Sequence, residues 1–526
     1  MGLIPEWADP AVPVSALDPQ GVNRRTLLRR AGLFGAGFAA AGLGETPAAH
    51  ATAPSDPEVV YLVGDHHVHT QYSHDAKYTV AQAAARGAQF GLDWMACTEH
   101  SNFGHDRFGA TAERADILKA RAENPRMLIF QGLEWYIPGA EHATVVTAPG
   151  EAEAEVLREF ERAYDGKLLP SADETLAVAA LRWLAASGKD AVVVANHPSR
   201  LGIDSPHELR AWRDAAPGLM IGMEGAPGAQ GAALPGLRGA ASIRGEYENK
   251  PSADSFPGYP AEAYVTYGGF DWMTATVGGM WDALLAEGKL FSITSNSDNH
   301  RTVYDTLRNG DWPAGATFDS TGKVPDPVDT GTPQAGSDFW PGQFSRTHVG
   351  VTRYGYREVL AGLRAGRVWV DHGQLVDGLD VRLTSASGRS VTLGGRLSAR
   401  RGERLTLSVT VTGATRPNFH GVVPSLAHLD VIRGTVRGSA RDRDSWRAPD
   451  TRVVATFDSF RRSLRWSFTA GEPSYLRLRG SDGKRHGAGL LGSTIDPHGP
   501  IAHTPGDGDP WRDTWLYTNP IFVDVR

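Results

Sequence analysis

The sequence predicts an α/β domain followed by an all-β domain, and two patterns predict it. From Val59 to about Val370, short apolar runs alternate with stretches of helical character. That is the order of a sheet covered by helices. After about Gly378 the helical stretches stop, and short runs alternate apolar with polar residues, as in Leu405-Thr406-Leu407-Ser408-Val409-Thr410-Val411. Such alternation marks strands with one face buried. A third observation concerns function: His, Asp and Glu residues gather where strands of the first domain end.

Val59-Val60-Tyr61-Leu62-Val63 reads as a strand running into His67 and His69. Thr79 to Phe90 reads as a helix closed by Gly91, because glycine adopts the left-handed conformation that ends helices. Leu92 to Thr98 leads to His100, Met127 to Phe130 leads to Glu134, and Ala143 to Thr147 follows His142. Ala191 to Ala195 delivers His197, and Leu290 to Thr294 delivers Asp298 and His300. These runs are nearly continuous in apolar residues, which suits parallel strands buried on both faces of a barrel or a doubly wound sheet. In a barrel, residues just past the strand ends converge on one face. The first domain is expected over 54–377, with insertions near 201–285 and 305–345, a helix at Tyr356 to Ala365 and a last strand at Val368-Trp369-Val370. The second is expected over 378–526 as a β-sandwich of about seven strands: 379–383, 404–411, 426–432, 452–457, 464–468, 475–478 and 521–525.

Composition narrows the function classes. With 526 residues, a net charge of −7 and 21% charged residues, the chain carries no nucleic-acid footprint. The single cysteine, Cys97, excludes an internal disulfide and lies in an apolar run, so it reads as a small buried residue. At the other extreme of the chain, Arg24-Arg25 precede the apolar, Gly/Ala-rich stretch Ala31 to Leu43, and Ala49-His50-Ala51 offers a small-x-small cleavage site. This segment, within 1–53, resembles a bacterial twin-arginine signal peptide. Its 13 apolar residues are too few to cross a bilayer of ~30 Å as a helix, and no stable membrane span is expected elsewhere. The expectation is a protein exported by the twin-arginine machinery to a secreted or extracytoplasmic location. A protein that folds around metal in the cytosol has reason to use a route for folded cargo.

The candidate ligands are His67, His69, Asp75, His100, Glu134, His142, His197, Asp298 and His300. Six are imidazoles and three are carboxylates, a donor set suited to Zn, Mn or Fe. Nine donors exceed the needs of one ion, so two or three divalent ions are expected.

The motifs Asp65-His66-His67-Val68-His69-Thr70-x-Tyr72-Ser73, Thr98-Glu99-His100, Gly132-Leu133-Glu134, Glu141-His142, Asn196-His197-Pro198 and Ser297-Asp298-Asn299-His300 occur in this order. Over about 59–375 the chain with these motifs resembles the PHP superfamily, named for polymerase and histidinol phosphatase. The resemblance implies a distorted (β/α)₇ barrel with a trinuclear site. Carried over, His67, His69 and Asp298 would hold one ion, with Glu134 bridging to a second held by His142 and His197. Asp75, His100 and His300 would hold the third. The family varies the spacing after its first motif, so His74 is the alternative to Asp75. Glu99 stands where Asp is common, which would change a contact behind His100.

Such a cluster makes a water-derived nucleophile available at neutral pH and stabilises charge on phosphoryl oxygens. Asp298 and His300 are candidates for leaving-group protonation. Arg200 and Arg301 are candidates to grip phosphate oxygens or else form structural ion pairs, with His348 and Arg353 behind them. The expected activity is hydrolysis of a small phosphomonoester or phosphodiester. The alternative is a carbamate or carboxyl ester hydrolase, as in the related branch of carbaryl-type hydrolases, favoured if aromatics such as Phe103, Trp135, Tyr136, Trp272 and Trp281 line the site. A degraded PHP module without activity is disfavoured, because no expected ligand position holds an inert residue.

Overall fold

The computed structural model describes residues 59–526 except 102–103, 170–172, 237–250, 459–461, 486–498, 504–505 and 507. The twin-arginine segment lies outside the described residues. Six strands build the first part of the central sheet: β1 (Val60–Val68), β2 (Trp94–His100), β3 (Leu128–Tyr136), β4 (His142–Thr147), β5 (Ala191–Ala195) and β6 (Met220–Ala226). The strand Ser292–Ser295 follows β6, while Ser345–Val351 and then Val368–His372 extend the sheet beyond β1.

Pairing is parallel for β1–β2, β2–β3, β5–β6 and β6 with Ser292–Ser295. The expected all-parallel arrangement fails at β4, which is antiparallel to both β3 and β5. The reason is length. Only 137–141 link β3 to β4, and a parallel crossover needs a dozen residues or more. Reversal puts the first residue of β4, His142, at the same end of the sheet as the last residues of its neighbours. Ser345–Val351 is likewise antiparallel to β1.

No ladder joins Ser292–Ser295 to Ser345–Val351 among the described residues. Side chains bridge them instead: Ser295 N donates to Thr347 Oγ1 at 2.8 Å, and that hydroxyl donates back to Ser295 O at 2.6 Å. Asn519 Oδ1 accepts from Ile293 N at 2.8 Å.

Helices pack on the outside. Val80–Gln89 is capped by Thr79, whose hydroxyl accepts from Gln82 N while Gln82 returns the bond, so both exposed N–H groups are satisfied. Ser205 and Glu208 do the same for Pro206–Ala215. Beneath them the apolar core includes Trp94, Trp135, Trp212 and Trp281, all fully buried. Cys97 is buried and free, as its apolar run predicts. The stretch read as the start of an insertion after 201 contains this last capped helix and the core strand β6. Its Gly-rich flank at 225–231 makes the strand read as loop, and Gly222 within β6 packs against Ser292, where a Cβ would lie 2.0 Å from the carbonyl oxygen.

From Val376 onward the described residues form strands and loops, with one short 3-10 helix at Pro510–Arg512. Val376–Ser385, Arg404–Gly413 and Ser463–Thr469 form an antiparallel sheet with the short Ser390–Val391. It faces strands Arg396–Ala399, His428–Thr435, Ser474–Ser481 and Ile521–Val525 across a core of Leu379, Val381, Leu407, Val431, Leu478 and Val523. The expected boundary at 377/378 falls inside Val376–Ser385. Trp515–Thr518 pairs both with Val368–His372 and with Ser474–Ser481, so one sheet runs continuously between the two parts. No described helix is long and apolar enough to cross a membrane.

Candidate metal centre

The nine donors meet at one end of the central sheet. His67 lies in β1, two residues before His69, and the strand's period of two turns both rings the same way. The register of β1 on β2 shifts between Asp65 and Val68; such bulges redirect side chains beside functional sites. The donor atoms fall into three overlapping groups, tied together by Glu134, whose Oε2 also lies 2.7 Å from His100 Nδ1. In the first, His67 Nε2 and His69 Nε2 are 2.9 Å apart and each is 3.2 Å from Asp298 Oδ1. Glu134 closes this group at 3.2 Å from His67 Nε2 and 3.3 Å from His69 Nε2. In the second, Glu134 Oε1 is 3.1 Å from His142 Nδ1 and 3.2 Å from His197 Nε2. In the third, Asp75 Oδ1, His100 Nε2 and His300 Nε2 form a triangle with sides of 3.3, 3.4 and 3.3 Å.

The donor chemistry fits cations. Around a tetrahedral ion with bonds of about 2.0–2.1 Å, neighbouring ligand atoms lie about 3.3–3.4 Å apart. Several rings also have their outer nitrogen occupied. His67 Nδ1 is 2.7 Å from Glu224 Oε1, His69 Nδ1 is 2.8 Å from Ser73 Oγ, and His300 Nδ1 is 2.8 Å from Asp298 O. An Nδ1–H donated outward to an acceptor leaves an Nε2 lone pair facing the other donors. Lone pairs and carboxylates pointed at one another repel unless a positive charge sits between them.

Behind the donors stands a second tier of polar groups. Glu99 accepts from Thr70 Oγ1 and Ser73 Oγ, both at 2.6 Å. It therefore supports His69 through Ser73, whereas the expected contact behind His100 is made by Ser73 Oγ, which accepts from His100 N at 3.1 Å. Asp65 accepts from His67 N and from Ser297 N, each at 3.1 Å, and so ties β1 to the loop that carries Asp298. Burial pushes its carboxyl up to about 7 despite these bonds. His66 turns to the opposite side of β1, with Nε2 2.8 Å from Thr294 Oγ1. Burial and the neighbouring His67 push it down to about 3, so it remains neutral and supports the sheet.

Two donors sit on strained backbone. His197 has φ of 29° and Asp298 of 44°, a region that non-glycine residues seldom occupy and that clusters at functional sites. Gly228 allows this at Asp298: a Cβ there would lie 2.2 Å from Asp298 Cβ.

Electrostatics follow from burial among imidazoles. Burial alone would raise the Glu134 carboxyl, but His142, His67 and His100 hold it well below the ordinary carboxylate range. Asp75 behaves alike, its burial outweighed by His300 and His100. The side chains differ in exposure. Asp75 is 28% exposed, His142 12% and Asp298 9%, while His67, His69 and Glu134 are at most 1%. Solvent therefore reaches the cluster from the Asp75, His142 and Asp298 side.

The remaining candidates divide. His74 stays at the rim, its ring 5.5 Å from that of His100 and its Nδ1 3.9 Å from Asp75 Oδ1. Arg200 Nη1 donates to Glu141 Oε2 at 3.0 Å, and the same oxygen lies 3.6 Å from His197 Nδ1. Arg301 Nε donates to the backbone carbonyl of Asp75 at 3.0 Å, which keeps it beside the third group. His348 and Arg353 are corrections. His348 stacks on Trp369 at 3.4 Å and pairs with Asp371 at 2.8 Å on the far side of its strand, and Arg353 pairs with Glu358 at the surface.

Among the aromatics, Tyr136 borders the donors, its ring 4.0 Å from His142. Trp135 points away and donates to Tyr164 O, and Trp281 donates to Phe291 O in the core. Trp272 packs against Tyr259 and Trp446, outside the donor groups. Phe103 lies outside the described residues. The residue that sequence reasoning missed is Glu224. Its signal was the apolar run Leu219 to Met223, which ends at Glu224 just as other strands end at donors.

Comparison with known proteins bears on the first four motifs. Residues 65–178 match the PHP domain family, a segment that contains His67, His69, Asp75, His100, Glu134 and His142. This supports the PHP superfamily for that segment. A solved structure from Bacteroides vulgatus, described as a two-domain protein containing a predicted PHP-like metal-dependent phosphoesterase, aligns at 13% identity. The alignment covers 91% of this chain and 100% of that one with a TM-score of 0.35, a likeness too loose to carry an argument. No curated protein matches the chain.

Proposed function

We propose that this chain is an exported, metal-dependent phosphoesterase. The observation that carries the reading is the convergence of nine donors, spread from His67 to His300 in sequence, into groups with sides of 2.9 to 3.4 Å. His67, His69, Glu134 and Asp298 would hold one divalent ion, Glu134, His142 and His197 a second, and Asp75, His100 and His300 a third. Zn, Mn or Fe bound there would lower the pKa of water toward neutrality and offset charge on phosphoryl oxygens. The seven-fold barrel is supported by the side-chain bridge from Ser295 to Thr347, which joins the terminal strand Ser292–Ser295 to the strand that pairs with β1.

The chain's own groups do the rest. Tyr136 walls the exposed side beside His142, so a substrate enters between it and Asp75. Arg301, held beside the third group by the Asp75 carbonyl, supplies guanidinium charge for a phosphate, and Arg200, paired with Glu141, adds a weaker contribution. Asp298 and His300 face the reacting centre, and the second Asp298 carboxylate oxygen can take the proton that water loses as it attacks and pass it to the leaving group. A second reading, hydrolysis of a carbamate or carboxyl ester, is favoured by one observation: Arg200 is already paired with Glu141 while Tyr136 offers an aromatic face. The run Arg24-Arg25 ahead of Ala31 to Leu43 supports export by the twin-arginine route.

The test is hydrolysis of bis-p-nitrophenyl phosphate and p-nitrophenyl phosphate by the Mn²⁺-loaded protein, with Asp298→Ala as control. Turnover of either, lost in the control, is expected. Absence of turnover on both, from protein shown to hold its metals, would sink the phosphoester reading and favour the second.

A further inference from the structure

One buried carboxylate touches two of the three donor groups without belonging to either. Glu224, fully buried in β6, places Oε1 2.7 Å from His67 Nδ1 and accepts from His197 N through Oε2 at 2.6 Å. His67 is a donor of the first group and His197 of the second. Its ion-pair partner is His67, and no Lys or Arg pairs with it among the described residues.

A carboxylate taken out of water is costly unless its charge is offset and its lone pairs are satisfied. The His197 amide satisfies one oxygen. The His67 ring satisfies the other, and through that ring the positive charge of an ion at Nε2 would balance the carboxylate. The same bond sets the tautomer of His67 and raises the basicity of Nε2. The bond to His197 N holds a residue whose φ of 29° is unfavourable for any side chain, and a charged acceptor makes the stronger hydrogen bond. Movement of β6 would therefore disturb both groups together.

We infer that Glu224 is a positioning residue that couples the His67/His69/Asp298 group to the His142/His197 group, so that their two ions are taken up as a linked pair. The inference rests on the metal reading above, but not on which ester is cleaved.

The experiment is a titration of the metal-free full chain with Co²⁺, followed by visible absorption, for the parent and Glu224→Gln. Thermal unfolding of both metal-free proteins accompanies it. In the variant, the Co²⁺ midpoint is expected to weaken about 10–100-fold and uptake to separate into resolved steps. The metal-free melting temperature should stay close to that of the parent. A midpoint within about twofold of the parent overturns the inference, as does a metal-free melting temperature that falls together with affinity, because Glu224 would then be merely structural.

A measurement on the parent alone keeps the inference falsifiable if the variant does not fold. In Zn²⁺-loaded protein labelled with ¹⁵N-histidine, the His67 signals, assigned by their loss in His67→Ala, should show protonated Nδ1 and metal-bound Nε2. The reverse tautomer overturns it. Neither arm uses turnover, so failure of phosphoester hydrolysis leaves both results readable.

Discussion

Two regions of this protein bury charge on a large scale, and they do it differently. At the seam between the central sheet and the β-rich part, every buried carboxylate named here has a guanidinium. Arg477 grips Asp282 at 2.8 and 2.7 Å with both side chains fully buried. Arg479 grips Asp430, and Arg346 grips Asp371. At the donor end, Glu134, Asp75 and Asp298 face imidazoles, with Asn196 Nδ2 also donating to Glu134 at 3.1 Å, and among the described residues no Lys or Arg forms an ion pair with any of the three. The seam is balanced by the chain itself. The donor end is balanced by protons on its imidazoles or by cations that take their place, and that difference separates a structural ion pair from a candidate ligand set.

The comparison can be broken at its centre. Glu134→Gln removes the carboxylate shared by two groups and should lower metal-dependent hydrolysis by at least about 10³-fold, the rate equivalent of several kcal/mol of lost charge stabilisation. Initial rates and metal content by elemental analysis check this. Retained rate and metal would show that the donor end does not depend on its ions.

At the seam, Arg477→Ala leaves Asp282 buried and unpaired. Breaking such a pair costs about 3–5 kcal/mol, read by denaturant unfolding, while metal content per folded chain should not change. Loss of metal in this variant would mean the two regions are not independent.

Removing the ions themselves should matter less to stability but only at the donor end. With free metal at about 100 times its dissociation constant, binding stabilises by about 2.7 kcal/mol. Chelation should lower the parent's melting temperature and leave that of Glu134→Gln nearly unmoved.

Acid sharpens the distinction by its position on the pH scale. Burial would raise the Asp430 carboxyl, but His428 and Arg479 hold it at about 2. A group depressed in the folded state contributes stability above its unfolded value, near 3.9, and loses it as pH falls toward 2. Metal-free protein should therefore weaken at the seam between about pH 4 and pH 2. Metal release should come earlier, as imidazoles with ordinary values near 6.5 are protonated. Unfolding and metal content followed across pH 7 to 2 would show two separate transitions.

The smallest effect is expected at Arg200, which is partly exposed and already paired with Glu141. Exposed pairs contribute about 0.2–1 kcal/mol, so Arg200→Ala should raise KM for a phosphoester less than about fivefold, with kcat little changed. A large fall in kcat would place Arg200 on the reacting phosphate.

How far the site was legible depended on whether a residue's role needed a particular chemistry or a particular neighbour. His67-x-His69 and Asp298-x-His300 were legible because few residue types bind metal and the strand period makes that spacing productive. Glu224 was not, because its role exists only through His67, 157 positions away, and the glycines after it read as loop. His348 misled for the converse reason: its chemistry suits a site, but Trp369 and Asp371 hold it on the other face of its strand.

The sequence alone determined the alternation of strands and helices, the change of style near Gly378, and the donor types placed at strand boundaries. These follow from local periodicity and from side-chain chemistry, which each segment carries by itself. Only the tertiary structure decided that β4 runs backwards to bring His142 to Glu134. It also decided that Trp515–Thr518 joins the two parts in one sheet, and that Glu224 links two donor groups. Those depend on pairing between distant segments, where backbone hydrogen bonds are the same for every residue and leave little trace in its identity.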